Sequence, residues 1–347
     1  MVKVGIIGAT GYAGAELVRI LHNHSKAEIA AVASVSYEGR FLSSVFPHLS
    51  NICDDVLTSV EDLIEKCDVV FASVPHGVGE EIAQSVAQSS GDKLLIDLGA
   101  DFRLEDEADY KEWYGGDYKI PALHKGAVYG LPEFFREQIK TAKIIANPGC
   151  YPTSIAIALY PLLKNRLIHT ESIIIDSKSG VTGAGRGLTQ NTHFPDTNEA
   201  FGAYKAACHR HTPEIEQTLR KFSPDKKLTV TFVPHLLPVN RGIESSVYVK
   251  YSNDLGIKDL HELYAKTYAE ERFVRIHPLG AYSNIADVRG SNYCDISLHP
   301  DPRTGTLVVS SVIDNLVKGA AGQAVQNMNL ALGIDEGEGL NLVPLGF

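Results

Sequence analysis

Val2-Lys3-Val4-Gly5-Ile6-Ile7-Gly8-Ala9-Thr10-Gly11-Tyr12-Ala13-Gly14 opens the chain. Val2 to Ile7 is an apolar run of strand character. Three glycines follow at a spacing of three, and Ala15 to Asn23 then carries the periodicity of a helix. Strand, glycine turn, helix is the unit that sets a pyrophosphate against backbone amides at a helix N-terminus. The spacing is GxxGxxG rather than GxGxxG, so the context carries the reading. A second strand, Glu28 to Ala33, falls where a mononucleotide-binding half requires one.

Working outward, that second strand ends in Ala33-Ser34-Val35-Ser36, with Arg40 close behind. An acidic residue there would hold the ribose 2′-hydroxyl of NAD. Small hydroxyls and an arginine suit a 2′-phosphate instead, so NADP is the expected cofactor, with Glu38 as the competing acid. Two more buried runs follow: Cys67 to Val74, ending in Pro75-His76-Gly77, and Leu94 to Leu98, ending in Gly99-Ala100-Asp101-Phe102-Arg103. Ligands bind at the carboxyl ends of parallel strands in this Rossmann-type architecture, so Ser73 and His76 are expected at the cofactor. His76 is read as lining the crevice or capping the helix Val78 to Gln88, ahead of a role as base. Asp97, Asp101 and Arg103 read as a local ion pair. Tyr129 to Glu133 reads as a turn into the helix Glu133 to Thr141.

The chemistry centres on Asn147-Pro148-Gly149-Cys150-Tyr151-Pro152-Thr153. It follows a short buried strand, Ala142 to Ala146, and leads into a helix from Thr153. Pro152 suits a first helical turn because its missing N–H has no partner there. Cys150 therefore stands where the amides and the positive end of a helix favour a thiolate. Free cysteines are more often small buried hydrophobes, but the Pro-Gly before this one and the Tyr-Pro-Thr after it make a turn rather than a core strand.

Beyond Cys150 the texture changes. Ser172 to Lys178, Leu228 to Val233, Glu244 to Tyr251, Phe273 to Ile276, Tyr293 to Leu298 and Leu307 to Ile313 alternate apolar and polar residues. That pattern predicts an antiparallel sheet with one wet face in an α+β domain. Ser179 to Gly187 is a glycine-rich, amide-rich loop able to hold a phosphate. Cys208-His209-Arg210-His211-Thr212-Pro213-Glu214 precedes a helix from Pro213 to Lys221. Its spacing matches no zinc pattern, so no metal is expected. A general base for Cys150 is the better use, and spacing alone leaves both histidines open. Position favours His211, beside Thr212-Pro213, with His209 in less constrained chain as an anion ligand. The helix Asn315 to Leu332 is rich in Ala and Gly and is expected to return to the first domain.

A net charge of −10 argues against nucleic acid or an anionic membrane as partner. No apolar run is long enough for a transmembrane helix, and the first residues lack the zones of a signal peptide. Five scattered cysteines, an odd number without CxxC, suit a reducing cytoplasm.

Taken together, Gly8 to Gly14, Ser73-Val-Pro-His-Gly77, Asp97 to Arg103, Tyr129-Gly-Leu-Pro-Glu133, Asn147 to Thr153, Ser179 to Arg186 and His209-Arg-His211 resemble the N-acetyl-gamma-glutamyl-phosphate reductases of arginine biosynthesis. The resemblance covers essentially the whole chain. It implies an α/β fold: a Rossmann-type NADP-binding domain (1–149 plus 315–347) and a glyceraldehyde-3-phosphate dehydrogenase-like α+β catalytic and oligomerisation domain (150–314). It implies NADPH-dependent reduction of an acyl phosphate to a semialdehyde through a Cys150 thioester, in a homodimer or homotetramer. The cofactor residues expected are Gly8, Thr10, Gly11, Tyr12, Ala13, Gly14, Ser34, Ser36, Arg40, Ser73, His76, Ser179, Gly180, Gly183 and Asn315. Cys150 and His211 are expected to be catalytic, and Asn147, His209, Arg210, Arg186 and Glu214 to meet substrate. The rival readings are an aspartate-semialdehyde dehydrogenase-like reductase and, further off, an NADP-binding redox sensor that uses Cys150 only as an oxidisable thiol.

Overall fold

The computed structural model describes residues 1–251 and 256–346. The expected domain spans also contain 252–255 and 347, which lie outside the described residues. The chain falls into two compact units, Met1–Pro148 with Ala320–Leu342, and Gly149–Gly319 with Val343–Phe347. It passes from one to the other after Pro148, after Gly319 and again after Leu342.

The first unit holds six strands: β1 Val2–Ile7, β2 Ala27–Ala33, β3 Val69–Ala72, β4 Leu94–Asp97, β5 Ala127–Tyr129 and β6 Ile144–Ala146. They pair in parallel in the order β2-β1-β3-β4-β6-β5. Parallel sheets need both faces covered, and all of β3 and β4 is buried. The strand order reverses between β1 and β3, and Gly8 and Ser73 stand just beyond their carboxyl ends. The first helix runs Tyr12–Leu21, three residues earlier than the periodicity predicts. Extended Gly11 serves as its N-cap, so the helix starts inside the glycine turn. The sequence reading missed β5, taking its end as part of a turn. Three residues are too short to show a period.

The second unit holds β7 Ile173–Gly180, β8 Gly202–Ala203, β9 Val230–Leu237, β10 Ile243–Lys250, β11 Val274–Ile276, β12 Cys294–Asp301 and β13 Thr306–Ile313. Their order is β11-β12-β13-β10-β7-β9-β8. This sheet is mixed, not antiparallel as expected: β7 pairs β9 and β11 pairs β12 in parallel. The helix Thr212–Phe222 lies between β7 and β9 in the chain, and a crossover of that kind returns a strand in parallel. Alternation in single strands reports a wet face and says nothing about partner direction.

The helix Cys150–Lys164 starts at the cysteine itself, with Gly149 extended as its N-cap and Pro152 in the first turn. Twelve of its residues are buried. Ser154 Oγ meets Ser245 Oγ at 2.9 Å, and Ser245 meets Ser177 at 2.8 Å, all within the core. This hydroxyl chain fixes the helix to β10 and β7. The expected helix from Asn315 is instead a π turn, Val317–Ala321, followed by an α-helix, Gly322–Ala331. The Asp314 carboxylate accepts from the Leu316 and Val317 amides and holds the chain out of α geometry there.

Candidate active site

In the first unit the glycine turn is a matter of close approach. Gly8 has φ +80°, and a Cβ there would lie 2.1 Å from the Ser73 carbonyl oxygen. A Cβ on Gly14 would lie 2.3 Å from the Gly8 carbonyl oxygen. The Tyr12–Leu21 helix has no side-chain cap and no acid in its first turn. Its opening amides, at Tyr12, Ala13 and Gly14, suit the phosphates of a dinucleotide. Thr10 and Ser34 join their hydroxyls at 2.7 Å within the protein. Ser34 is therefore spent on bracing the turn, contrary to the expectation that it meets a 2′-phosphate. Ser36 and Arg40 remain exposed beyond β2, the Arg40 guanidinium lying 5.5 Å from the Tyr37 ring centre. A cation beside a small hydroxyl fits that phosphate.

His76 is half-buried, with Nδ1 2.6 Å from Asp101 Oδ1. It does not cap the following helix. The wholly buried Asp101 does so, accepting from the Gly77 and Gly79 amides at 2.7–3.1 Å. Burial alone would raise the Asp101 pKa, but His76 and these amides outweigh it and hold the carboxyl below its usual range. Asp97, Asp101 and Arg103 are not at the surface as expected, all three being buried. Arg103 donates from Nε to the Asn147 carbonyl and from Nη2 to that of Leu98, each at 2.9 Å. Asp97 is fully buried, takes the Gly99 amide at 2.9 Å, and is pushed up to about 7 by desolvation.

Asn147 is corrected as a substrate ligand. It is wholly buried; Nδ2 donates to the Ala320 carbonyl at 3.1 Å, and Oδ1 accepts from Asn327 at 3.0 Å. Its amide meets the Asp97 carbonyl and its carbonyl meets Arg103. Its role is to fix the chain as it leaves β6.

In the second unit, Cys150 is half-buried at the first position of its helix. Glu214, three residues after His211, is fully buried, and its Oε1 accepts the Gly149 amide at 2.7 Å. Glu214 is therefore not open to substrate. It ties the start of the histidine helix to the turn that carries the thiol. His211 is the N-cap residue of the Thr212–Phe222 helix, and its carbonyl accepts the Ile215 amide. His209 Nδ1 accepts the His211 amide at 3.1 Å.

The expectation of a less constrained His209 is overturned. Tyr151, Tyr204, Phe232 and His211 all meet its ring edge-on at centroid distances of 4.9–5.7 Å. Burial pushes its imidazole down to about 4, with Arg210 and Lys205 adding to the effect. A neutral buried ring is a poor anion ligand. Arg186 and Arg210 are both exposed.

Tyr151 and Tyr204 share a hydrogen bond of 3.1 Å, and burial pushes Tyr204 up to about 12. Neither tyrosine was singled out from sequence, since no local pattern marks a pair 53 residues apart. The expected phosphate loop is ordered at its start. Ser179 and Gly180 close β7, and Val181–Ala184 is a 3-10 turn. Asn315 donates to Thr182 Oγ1 at 3.0 Å and accepts the Gly242 amide at 2.8 Å. Ser179, Gly180, Gly183 and Asn315 thus form one patch. Among the described residues no group of three His, Cys, Asp or Glu could hold a metal ion.

A doubly wound nucleotide-binding sheet joined to a mixed sheet with a helix-borne cysteine defines a class, and the comparisons name it. Residues 3–142 match the semialdehyde dehydrogenase NAD-binding domain, and residues 150–315 match the semialdehyde dehydrogenase dimerisation domain. Among solved structures, the fold is shared with aspartate semialdehyde dehydrogenase II of Vibrio cholerae (TM-score 0.71, 17% identity, 96% of this chain and 98% of that one). It is shared too with the Candida albicans aspartate semialdehyde dehydrogenase solved with NADP (TM-score 0.71, 16% identity, 95% and 98%). In sequence, the chain is 52% identical to the N-acetyl-gamma-glutamyl-phosphate reductase of Clostridium beijerinckii, over the full length of both. It is also 52% identical to that of Brachyspira hyodysenteriae, again over all of both chains. The chain belongs to the N-acetyl-gamma-glutamyl-phosphate reductase family.

Proposed function

We propose the following division of labour for the reaction of this family. The chain reduces N-acetyl-gamma-glutamyl phosphate to N-acetylglutamate 5-semialdehyde with NADP(H), releasing phosphate, a step of arginine biosynthesis. Full-length identity to reductases of that name carries this reading over the aspartate-semialdehyde and redox-sensor alternatives. The first unit is the cofactor domain, and the second is the catalytic and dimerisation domain.

Cys150 is the nucleophile. Its sulfur bonds to the acyl carbon and the carbon–oxygen bond to phosphate breaks, leaving a thioester and free phosphate. His211 takes the thiol proton and returns it to the leaving phosphate. The helix N-terminus favours the sulfur anion. The helix-start amides at Cys150 and Tyr151 are the backbone donors for the oxyanion; Glu214 holds the Gly149 amide and Pro152 has none. When bound, the cofactor supplies the hydride that brings the thioester carbon to the aldehyde level. The Tyr12–Leu21 helix start, Ser36 and Arg40 hold its phosphates, and Ser179, Gly180, Gly183 and Asn315 supply polar contacts. As the aldehyde departs, the Cys150 thiolate is released, and His211, having taken up a proton from solvent, reprotonates it. Arg186 and Arg210 attract the substrate's phosphate and carboxylate. His209 acts through His211, by fixing its backbone.

The second domain match is named for dimerisation, which supports an oligomer; a homodimer or homotetramer is the finer proposal. Among the described residues no helix is long and apolar enough to cross a membrane. Five free cysteines support a reducing, cytoplasmic setting. The test is the reverse reaction: adding N-acetylglutamate semialdehyde should reduce NADP⁺ only when phosphate is present. Phosphate-independent reduction, or a preference for aspartate semialdehyde, would overturn the assignment.

A further inference from the structure

The π turn Val317–Ala321 sits in a chain that is otherwise α-helical or 3-10 among its described helical segments. Such a turn inserts one extra residue into the backbone and usually answers a local demand. Here the Gly319 amide donates to the Asp314 carbonyl five residues back, at 3.0 Å. The fully buried Asp314 carboxylate fixes that start through the amides of Gly290, Leu316 and Val317. What the turn presents is the bare Cα of Gly319. A Cβ there would lie 2.7 Å from Cys150 Cβ, 3.3 Å from Cys150 Cα and 3.3 Å from Ile313 Cδ1.

Gly319 has no positive φ to demand glycine. The demand is steric, and the closest approach is to the cysteine. Side-chain atoms essentially never approach within 3.0 Å of one another, so any larger residue must push Cys150 aside. Cys150 lies at the first helical position, where its backbone is already held through Gly149 and Glu214. The side chain would yield by rotating or tilting, and the sulfur would move off its line of attack. A misplacement of about 1 Å costs on the order of a hundredfold in a positioned reaction.

We propose that Gly319 is a positioning residue: the π turn exists to set its Cα as the wall against which the Cys150 side chain is aimed. This rests on Cys150 being the nucleophile, and the test separates the two claims. Gly319→Ala should slow alkylation of Cys150 by iodoacetamide, followed by peptide mass spectrometry, by tenfold or more. It should lower kcat at least as much, with the KM for NADPH unchanged. Ile313→Val with Gly319→Ala removes the second crowding atom. If Gly319 only fills space, this double variant recovers both melting temperature and alkylation rate, and the proposal falls. If it positions the thiol, the melting temperature stays low and alkylation stays slow, because the overlap with Cys150 Cβ remains.

A second arm reads the contact without activity. Deleting the cysteine Cβ in Cys150→Gly should recover the melting temperature lost on Gly319→Ala, a non-additive pair. Simple addition of the two losses would contradict the contact, as would wild-type alkylation in Gly319→Ala. Full turnover in Cys150→Ser would sink the nucleophile instead, leaving the stability coupling intact.

Discussion

Two helix starts in this molecule are built alike and do different work. The Tyr12–Leu21 helix and the Cys150–Lys164 helix each follow a strand and an extended glycine N-cap, and neither has a side-chain cap. At the first, the core of the site is contiguous: three glycines and the amides they uncover, braced by Ser34 and packed against Ser73. At the second, the same geometry carries a thiol, and its surroundings come from far along the chain. Glu214 holds the turn, His209 and His211 flank Tyr151, and Gly319 backs the cysteine. A phosphate-binding turn can be written in a dozen residues, whereas a nucleophile site is assembled by the tertiary fold.

The largest effect should fall on the thiol. Cys150→Ser should keep the fold and NADPH binding and lose nearly all turnover, measured by phosphate-dependent NADP⁺ reduction. Retention of more than about a tenth of the activity would make the second helix start no more than a second binding turn, since a neutral serine in a site built for a thiolate is a poor nucleophile. Next, His211→Asn should cut turnover by about a hundred- to ten-thousandfold, the usual cost of a general base. It should also slow Cys150 alkylation at neutral pH.

His209 sharpens the comparison from the other side. Its pKa is lowered from 6.5 to about 4, chiefly by burial. Below the ordinary histidine value the unfolded chain binds a proton that the native state refuses. Stability is therefore full above about pH 6.5 and falls as pH drops toward 4, by up to about 3 kcal/mol at the usual conversion. His209→Gln should flatten that limb in pH-dependent melting, and an unchanged acid slope would contradict the neutral, buried reading.

Asp97 in the first unit runs the opposite way. Desolvation raises it to about 7, so its native state binds the extra proton and gains stability as pH falls from 7 toward 4. Asp97→Asn should remove that gain and be best tolerated near pH 8. At the glycine turn, Gly8→Ala should cost at least about 1 kcal/mol from its left-handed backbone alone, before the clash with Ser73. Loss of NADPH binding with thiol alkylation unchanged would mark the two helix starts as separate devices.

These contrasts also explain what was legible. The first sheet could be read because buried parallel strands are continuous apolar runs, and Gly8 to Gly14 announces its own geometry. Cys150 was legible for the same reason, as a residue between a strand and a helix. Ser34, Asn147 and Glu214 were misjudged because residue type says nothing about whether a polar group is already satisfied. Each is buried and bonded within the protein, which only three-dimensional packing decides. The parallel pairings β7–β9 and β11–β12 were missed because strand direction depends on the connection, not on the strand. His209 and His211, two residues apart and chemically alike, were separable only by what surrounds each ring.

The central claim is a covalent acyl–Cys150 intermediate formed before any hydride moves. Mixing the enzyme with N-acetyl-gamma-glutamyl phosphate, without NADPH, and quenching in acid tests it directly. About one phosphate should be released per active chain, and intact mass with peptide mapping should place an N-acetylglutamyl group on Cys150. Phosphate release that waits for NADPH, with Cys150 unmodified, would contradict the account.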